Sequence, residues 1–324
     1  MSAPRRIALA LGSGGARGYA HIGVIQVLEE RGYEIVSTAG SSMGALVGGL
    51  HAAGKLDDYA EWARGLTHLD MLRLLDPSLA AAGAIKAEKV MARVSELLGG
   101  ALIEDLPIRF TAVATDLLAR KEVWFQQGPV DVAIRASIAI PSVITPVMLN
   151  GRLLADGGLM DPVPVAPTAS ASADATVAVS LNGEHRASRA DAPARESTEP
   201  RPVEEWIDRF RRGAAQFLDS DMVRTLVSRF GATVGDGDSP DDDIDVDVAA
   251  LPHGLGKFDV MNLSIETMQS VLTRFRLAGY PPDILINVPR DAARSLDFHR
   301  AAEVIEVGRQ LATEALDRAW PTGD

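Results

Sequence analysis

Residues 5–54 read RRIALALGSGGARGYAHIGVIQVLEERGYEIVSTAGSSMGALVGGLHAAG, and their punctuation decides the fold. Arg5–Leu11 is an apolar run of strand length that stops at a glycine-rich turn, Gly12–Gly18. A helical pattern, Tyr19–Arg31, follows and is closed by Gly32. The order then repeats. Glu34–Ala39 is a second, β-branched run, Gly40–Gly44 a second sharp turn, and Ala45–Ala53 a helix of small residues ending at Gly54. Two successive strand–turn–helix units predict parallel strands with helices packed on them, because parallel neighbours need a crossover connection.

Further strand patterns lie at Arg109–Thr115, Glu122–Phe125, Arg152–Ala155, Ala175–Leu181 and Asp283–Val288, with helical patterns between most of them. Two more helices, Phe258–Leu277 and Phe298–Leu316, flank the last strand. The alternation predicts an α/β protein, a three-layer α/β/α sandwich with a mostly parallel central sheet. Composition changes after Asn182. Residues 183–202 are rich in Ala, Arg, Glu, Ser and Pro without periodicity, residues 235–247 are rich in aspartate, and both read as linkers. Between them, Val203, Ile207, Phe210, Ala214 and Phe217, then Met222, Leu226 and Phe230, recur at helical spacing. This stretch, 203–230, is either a cap on the main domain or a face for peripheral membrane or partner contact. The organisation is one domain, 1–182 and 258–324, carrying an insertion at 183–257.

The 324 residues are 47% hydrophobic, enough to build a buried core. With 32 basic against 44 acidic residues the net charge is -12, which disfavours nucleic acid as a partner and adsorption to anionic lipid. There are no cysteines, so disulfides, thiolate metal sites and a catalytic thiol are excluded. The apolar run after Met1–Arg6 is too short for an export signal. The apolar window Ala101–Leu118 is broken by Glu104, Asp105, Arg109 and Asp116, so it does not read as a membrane span. The expected location is cytoplasmic, with at most peripheral contact at the inner face of the membrane. Oligomeric state is not legible.

Gly40-Ser41-Ser42-Met43-Gly44 is a G-x-S-x-G sequence between a strand and a helix. In that setting it reads as a nucleophile elbow: the serine is held in a strained conformation with its hydroxyl exposed over a helix N-terminus, and the glycines avoid clashes. An ordinary turn is the plainer reading. The first turn, Gly12-Ser13-Gly14-Gly15-Ala16-Arg17-Gly18, suits an anion, since glycines let backbone N–H groups converge. A dinucleotide reading would need an acidic residue at the end of the second strand, which instead runs Ser37-Thr38-Ala39-Gly40-Ser41. The preferred reading is an oxyanion hole beside the serine.

A serine nucleophile needs a base. His21 and His51 lie on the helices after the two turns and read as helix-face residues, while His299 would satisfy a Ser, acid, His order. The carboxylate in the best context is Asp156, delivered by a short strand to the turn Asp156-Gly157-Gly158. On its own, an Asp-Gly pair is a common turn former.

Taken together, Leu11–Val24, Gly40–Gly44 and Asp156-Gly157-Gly158 resemble, in order, the glycine-rich, elbow and acid motifs of the bacterial patatin-like phospholipases. Arg135–Pro141 is similar to a further family block, and Ser295-Leu296-Asp297-Phe298 with the closing helix to the bacterial C-terminus. The resemblance covers residues 5–182 and 258–317; the insertion matches nothing. It implies a patatin-like fold and a serine–aspartate dyad, with Ser42 as nucleophile, Asp156 as base and no histidine required. It further implies an oxyanion hole from the N–H groups of Gly14, Gly15 and Ala16 with Arg17 near them. Gly40 and Gly44 shape the elbow and Gly157 and Gly158 the acid turn. Ser13 departs from the family, which often has glycine there.

The implied activity is hydrolysis of lipid carboxylic esters, phospholipid or lysophospholipid, through an acyl-serine, with neither cofactor nor metal. Because an ordinary carboxylate is a weak base toward serine, the pocket is expected to be apolar and poor in water. Three alternatives remain: an acyltransferase using the same acyl-serine, a catalytically silent lipid-binding regulatory module, and nucleotide binding at the first turn.

Overall fold

The computed structural model describes residues 5–67, 70, 88–141, 143–183 and 257–320, which fall in one compact unit. The opening pattern is realised as β1 (Arg6–Leu11), α1 (Ala20–Glu30), β2 (Glu34–Ser41) and α2 (Met43–Ala52). Next come α3 (Leu56–Arg64), α4 (Glu88–Leu98), β3 (Arg109–Asp116), β4 (Lys121–Phe125) and α5 (Val130–Ser137). The chain continues with β5 (Val147–Leu149), β6 (Arg152–Asp156), β7 (Ala175–Gly183), α6 (Lys257–Gly279), β8 (Ile284–Pro289) and α7 (Ala301–Ala319). Every strand expected from the sequence is present, and among the described residues only the three-residue β5 was not anticipated. The two linkers and the amphipathic stretch at 203–230 lie outside the described residues, apart from Gly183 at the end of β7.

Strands β8, β7, β1, β2 and β3 lie side by side in that order, all parallel. Both β4 and β6 pair antiparallel with β3, and β6 carries β5 as its own antiparallel neighbour. The alternation of strand side chains sorts the two faces. Ile7, Leu9 and Leu11 of β1 and Val177, Val179 and Leu181 of β7 join one large cluster with α1, α2 and α7. Each such buried aliphatic side chain contributes roughly 1.5–3 kcal/mol. On the opposite face Ala10 and Ala178 meet Val163, Val165 and Leu277 of α6. These small side chains let the segment after β6, together with α6, lie close to the sheet. Helices α1 and α7 touch backbone to backbone: a Cβ at Gly23 would sit 2.1 Å from Ile305 O, and one at Gly308 2.1 Å from Ala20 O. The closing helix is therefore part of the same body as the first.

The edges of β3 position the site. Val113 pairs with Trp124 of β4 on one edge and Ser41 of β2 on the other. One residue on, Ala114 pairs with Val123 of β4 and Asp156 of β6. A strand has only two edges, so β2 and β6 share one of them. They run toward each other along it, and their C-terminal residues Ser41 and Asp156 end one step of β3 apart, about 3.3 Å along the strand.

Candidate active site

Ser42 follows β2 directly with φ 56 and ψ −122, a conformation for a non-glycine residue that costs about 1–3 kcal/mol and must be held by its surroundings. The Ser42 N–H donates to Ser137 Oγ at 2.8 Å, and Ser137 Oγ donates to Val113 O at 2.6 Å, so the elbow is bolted to β3 through one hydroxyl. Ser41 Oγ donates to Asp161 O at 2.6 Å, which ties the elbow to the acid segment. The elbow glycines are required by space: a Cβ at Gly40 would stand 2.2 Å from Gly44 C and O, and one at Gly44 2.1 Å from Leu11 O. Helix α2 starts at Met43, so its N-terminal dipole points at the serine.

Asp156 is as buried as Ser42, both 2% exposed. Its backbone is fixed by N–H donation to Ala139 O at 2.9 Å and by the Thr115 hydroxyl donating to its carbonyl at 2.8 Å. Oδ1 accepts the Gly158 N–H at 2.8 Å, while Oδ2 has no partner in hydrogen-bonding geometry. Burial pushes the carboxyl pKa up to about 6, opposed by the Ser42 hydroxyl, the Gly158 N–H and the Ser13 hydroxyl. The group is thus a stronger base than an ordinary aspartate and still mostly ionised at neutral pH. Glycine at 157 is enforced by Val113 O, 2.1 Å from where a Cβ would stand.

The glycine loop differs from expectation at one of its four residues. The Ala16 N–H donates to Ser295 O at 3.0 Å and is not free for an oxyanion. The N–H groups of Gly14 and Gly15 take no backbone partner among the described residues. Arg17 lines the cleft beside Gly14 and Gly15; its Nη2 meets Glu266 Oε1 of α6 at 3.0 Å, and Nη1 donates to Arg290 O at 3.4 Å. It stitches the loop to the pocket wall.

Two of the three described histidines do other work. His21 is fully buried, bonds Gly12 O at 2.8 Å through Nε2, and is held down to a pKa of about 4 by burial, so it stays neutral and braces the loop. His51 pairs with Glu29 at 3.0 Å. His299 lies in the turn before α7, and although Phe298 and Leu296 line the pocket, no histidine does among the described residues.

Ser42 and Asp156 open into a cleft of about 1320 Å³, its open mouth included. Leu46, Tyr59, Trp62, Leu66, Val90 and Ile144 make much of its wall, and α6 adds a more polar side with Asn262, Glu266 and Gln269. The apolar character expected from the weak base is present. Behind the acid segment, Arg276 of α6 grips Glu122 of β4 at 3.3 and 3.2 Å and donates to Met160 O at 3.2 Å. Asp161, 1% exposed and 3.9 Å from Arg276, has both carboxylate oxygens without a hydrogen bond. Burial raises its pKa, Arg276 opposes the rise and Glu122 reinforces it. The role of Ser137, which lies in the Arg135–Pro141 block, and this cluster were missed by sequence reasoning.

A strained serine thus sits on a strand-to-helix turn beside a buried aspartate, and residues 9–169 match the family described as patatin-like phospholipase. The NTE family proteins Mb1092c of Mycobacterium bovis and Rv1063c of Mycobacterium tuberculosis are 54% identical over 340 residues, covering 98% of this chain and 92% of theirs. The chain belongs to the NTE family of patatin-like phospholipases, which are lipid hydrolases. Lysophospholipase nte1 of Emericella nidulans is 29% identical over 192 residues, 55% of this chain and 12% of that one. The crystal structure of VipD from Legionella pneumophila aligns with a TM-score of 0.45 at 16% identity, covering 98% of this chain and 67% of that one.

Proposed function

We propose that this enzyme cleaves a carboxylic ester of a phospholipid or lysophospholipid through the Ser42–Asp156 dyad. The observation that carries the reading is the meeting of β2 and β6 on one edge of β3, which sets the strained Ser42 beside an aspartate buried to the same extent. Asp156 accepts the Ser42 proton as Oγ attacks the ester carbonyl. The developing oxyanion is met by the Gly14 and Gly15 N–H groups and the α2 N-terminus. Collapse expels the alcohol, which takes the proton from Asp156. Water then attacks the acyl-serine with Asp156 as base again, releasing the fatty acid and restoring the serine.

The name of the fungal relative, a lysophospholipase, supports this substrate class. In the same reading, 1–182 and 258–324 form the catalytic domain, 183–257 is an insertion whose 203–230 stretch offers peripheral membrane contact, and the enzyme is cytoplasmic. Among the described residues no helix is long and apolar enough to cross a membrane. Incubation with phosphatidylcholine and lysophosphatidylcholine, with and without an alcohol acceptor, tests the assignment: free fatty acid as the main product supports it. Acyl transfer as the dominant outcome replaces it with the transferase.

A further inference from the structure

The glycine loop and the acid segment are joined at a side chain that the mechanism above does not use. Ser13 follows β1, and its N–H donates to Pro162 O at 2.8 Å, while the Gly12 N–H donates to Val179 O at 2.9 Å. The backbone here is tied on one side to the sheet and on the other to the segment that carries Asp156. Ser13 is 5% exposed and lines the same cleft as Ser42 and Asp156. Its hydroxyl stands directly over Gly158, where a Cβ would come within 2.3 Å of Ser13 Oγ. Gly158 is the residue whose N–H holds Asp156 Oδ1. The hydroxyl is therefore within reach of the same carboxylate, and it favours the ionised form as a donor to an anion does.

A carboxylate turns easily about its last torsion, which is broad. One anchor on Oδ1 leaves that rotation incompletely defined, and a second donor defines it. We propose that Ser13 is a positioning residue for Asp156: its hydroxyl donates to the carboxylate and, with the Gly158 N–H, holds Oδ2 toward Ser42. This rests on the dyad reading. The hydroxyl also favours the ionised form of the buried acid as pH falls, a task that no charged neighbour among the described residues performs. Around the acid, Arg17 is paired with Glu266, and Arg276 with Glu122 and Asp161.

The test measures the rate of fluorophosphonate labelling and kcat/KM for a neutral ester across about pH 5–9, with Tm, in wild type, Ser13→Ala, Ser13→Gly and Ser13→Thr. Loss of the hydroxyl should move the midpoint of the acid limb up by about one pH unit. The rate near pH 5 then falls about ten-fold while the rate near pH 9 stays within about three-fold. Ser13→Thr should keep the limb where wild type has it. If Ser13→Ala and Ser13→Gly melt like wild type and keep its acid limb, or lose rate equally at every pH, the proposal is overturned while the dyad stands. Wild type that never labels removes the dyad itself, and this proposal with it.

Discussion

Replacing Ser137 with alanine should loosen the elbow without touching either dyad residue. The Ser137 hydroxyl is 0% exposed and accepts the Ser42 N–H while donating to Val113 O. Alanine leaves the buried Ser42 N–H without a partner, at about 1–3 kcal/mol, and removes the bond to Val113 O, worth about 1 kcal/mol. The sum, roughly 2–4 kcal/mol, corresponds to a fall in Tm of about 4–16 °C for a domain of this size. The same bond opposes the strain of about 1–3 kcal/mol stored at Ser42, so the serine also relaxes away from its working geometry. Labelling by a fluorophosphonate should therefore slow about 10- to 100-fold well below Tm, where the protein is still folded. Calorimetry and timed labelling of the two proteins side by side measure both effects. A Ser137→Ala protein that melts within about 1 °C of wild type and labels at the same rate would refute the bolt.

Asp156→Asn should abolish hydrolysis and stabilise the protein at pH 8. The folded pKa is raised from 3.8 to about 6, so the ionised form is penalised by folding; the penalty is full above about 6 and vanishes below about 4. Its size is as much as about 3 kcal/mol, so the variant's Tm advantage should shrink as pH is lowered from 8 to 4, and an advantage that does not change with pH would count against the buried charge. Gly44→Ala places a methyl 2.1 Å from Leu11 O and should leave little soluble folded protein, read by expression and circular dichroism. Arg276→Met strips Asp161 and Glu122 of their shared cation, so stability should drop more at pH 8 than at pH 5, since protonation relieves the exposed deficit. An equal drop at both values would show that the ion cluster is not what Arg276 supports.

The opening residues 5–54 were legible because their two turns are short-range: glycines, strand length and helix period are all local. Ser42 and Asp156 could be named for the same reason, each in its own glycine motif. What joins them was not legible. The register of β2 and β6 on β3 is set by pairings between residues far apart in the chain, and nothing near Asp156 announces that its strand runs toward the serine. Ser137 looks like any serine at a helix end, and its role exists only once α5 packs against β3.

The oxyanion donors were overcounted because the Ala16 N–H is claimed by Ser295, a residue delivered by the far C-terminal part of the chain. Helix α6 inverts the usual pattern. Its Asn262, Glu266 and Gln269 line the cleft while Met261, Leu263, Met268 and Phe275 are exposed, so a binary reading of hydrophobicity would have turned it around.

The most direct test of the account is fluorophosphonate labelling of wild type, Ser42→Ala, Asp156→Asn and His299→Ala, with ester hydrolysis measured on the same samples. The dyad predicts that wild type and His299→Ala label and turn over, that Ser42→Ala does neither, and that Asp156→Asn is folded but inert. Full activity in Asp156→Asn, or its loss in His299→Ala, would contradict it.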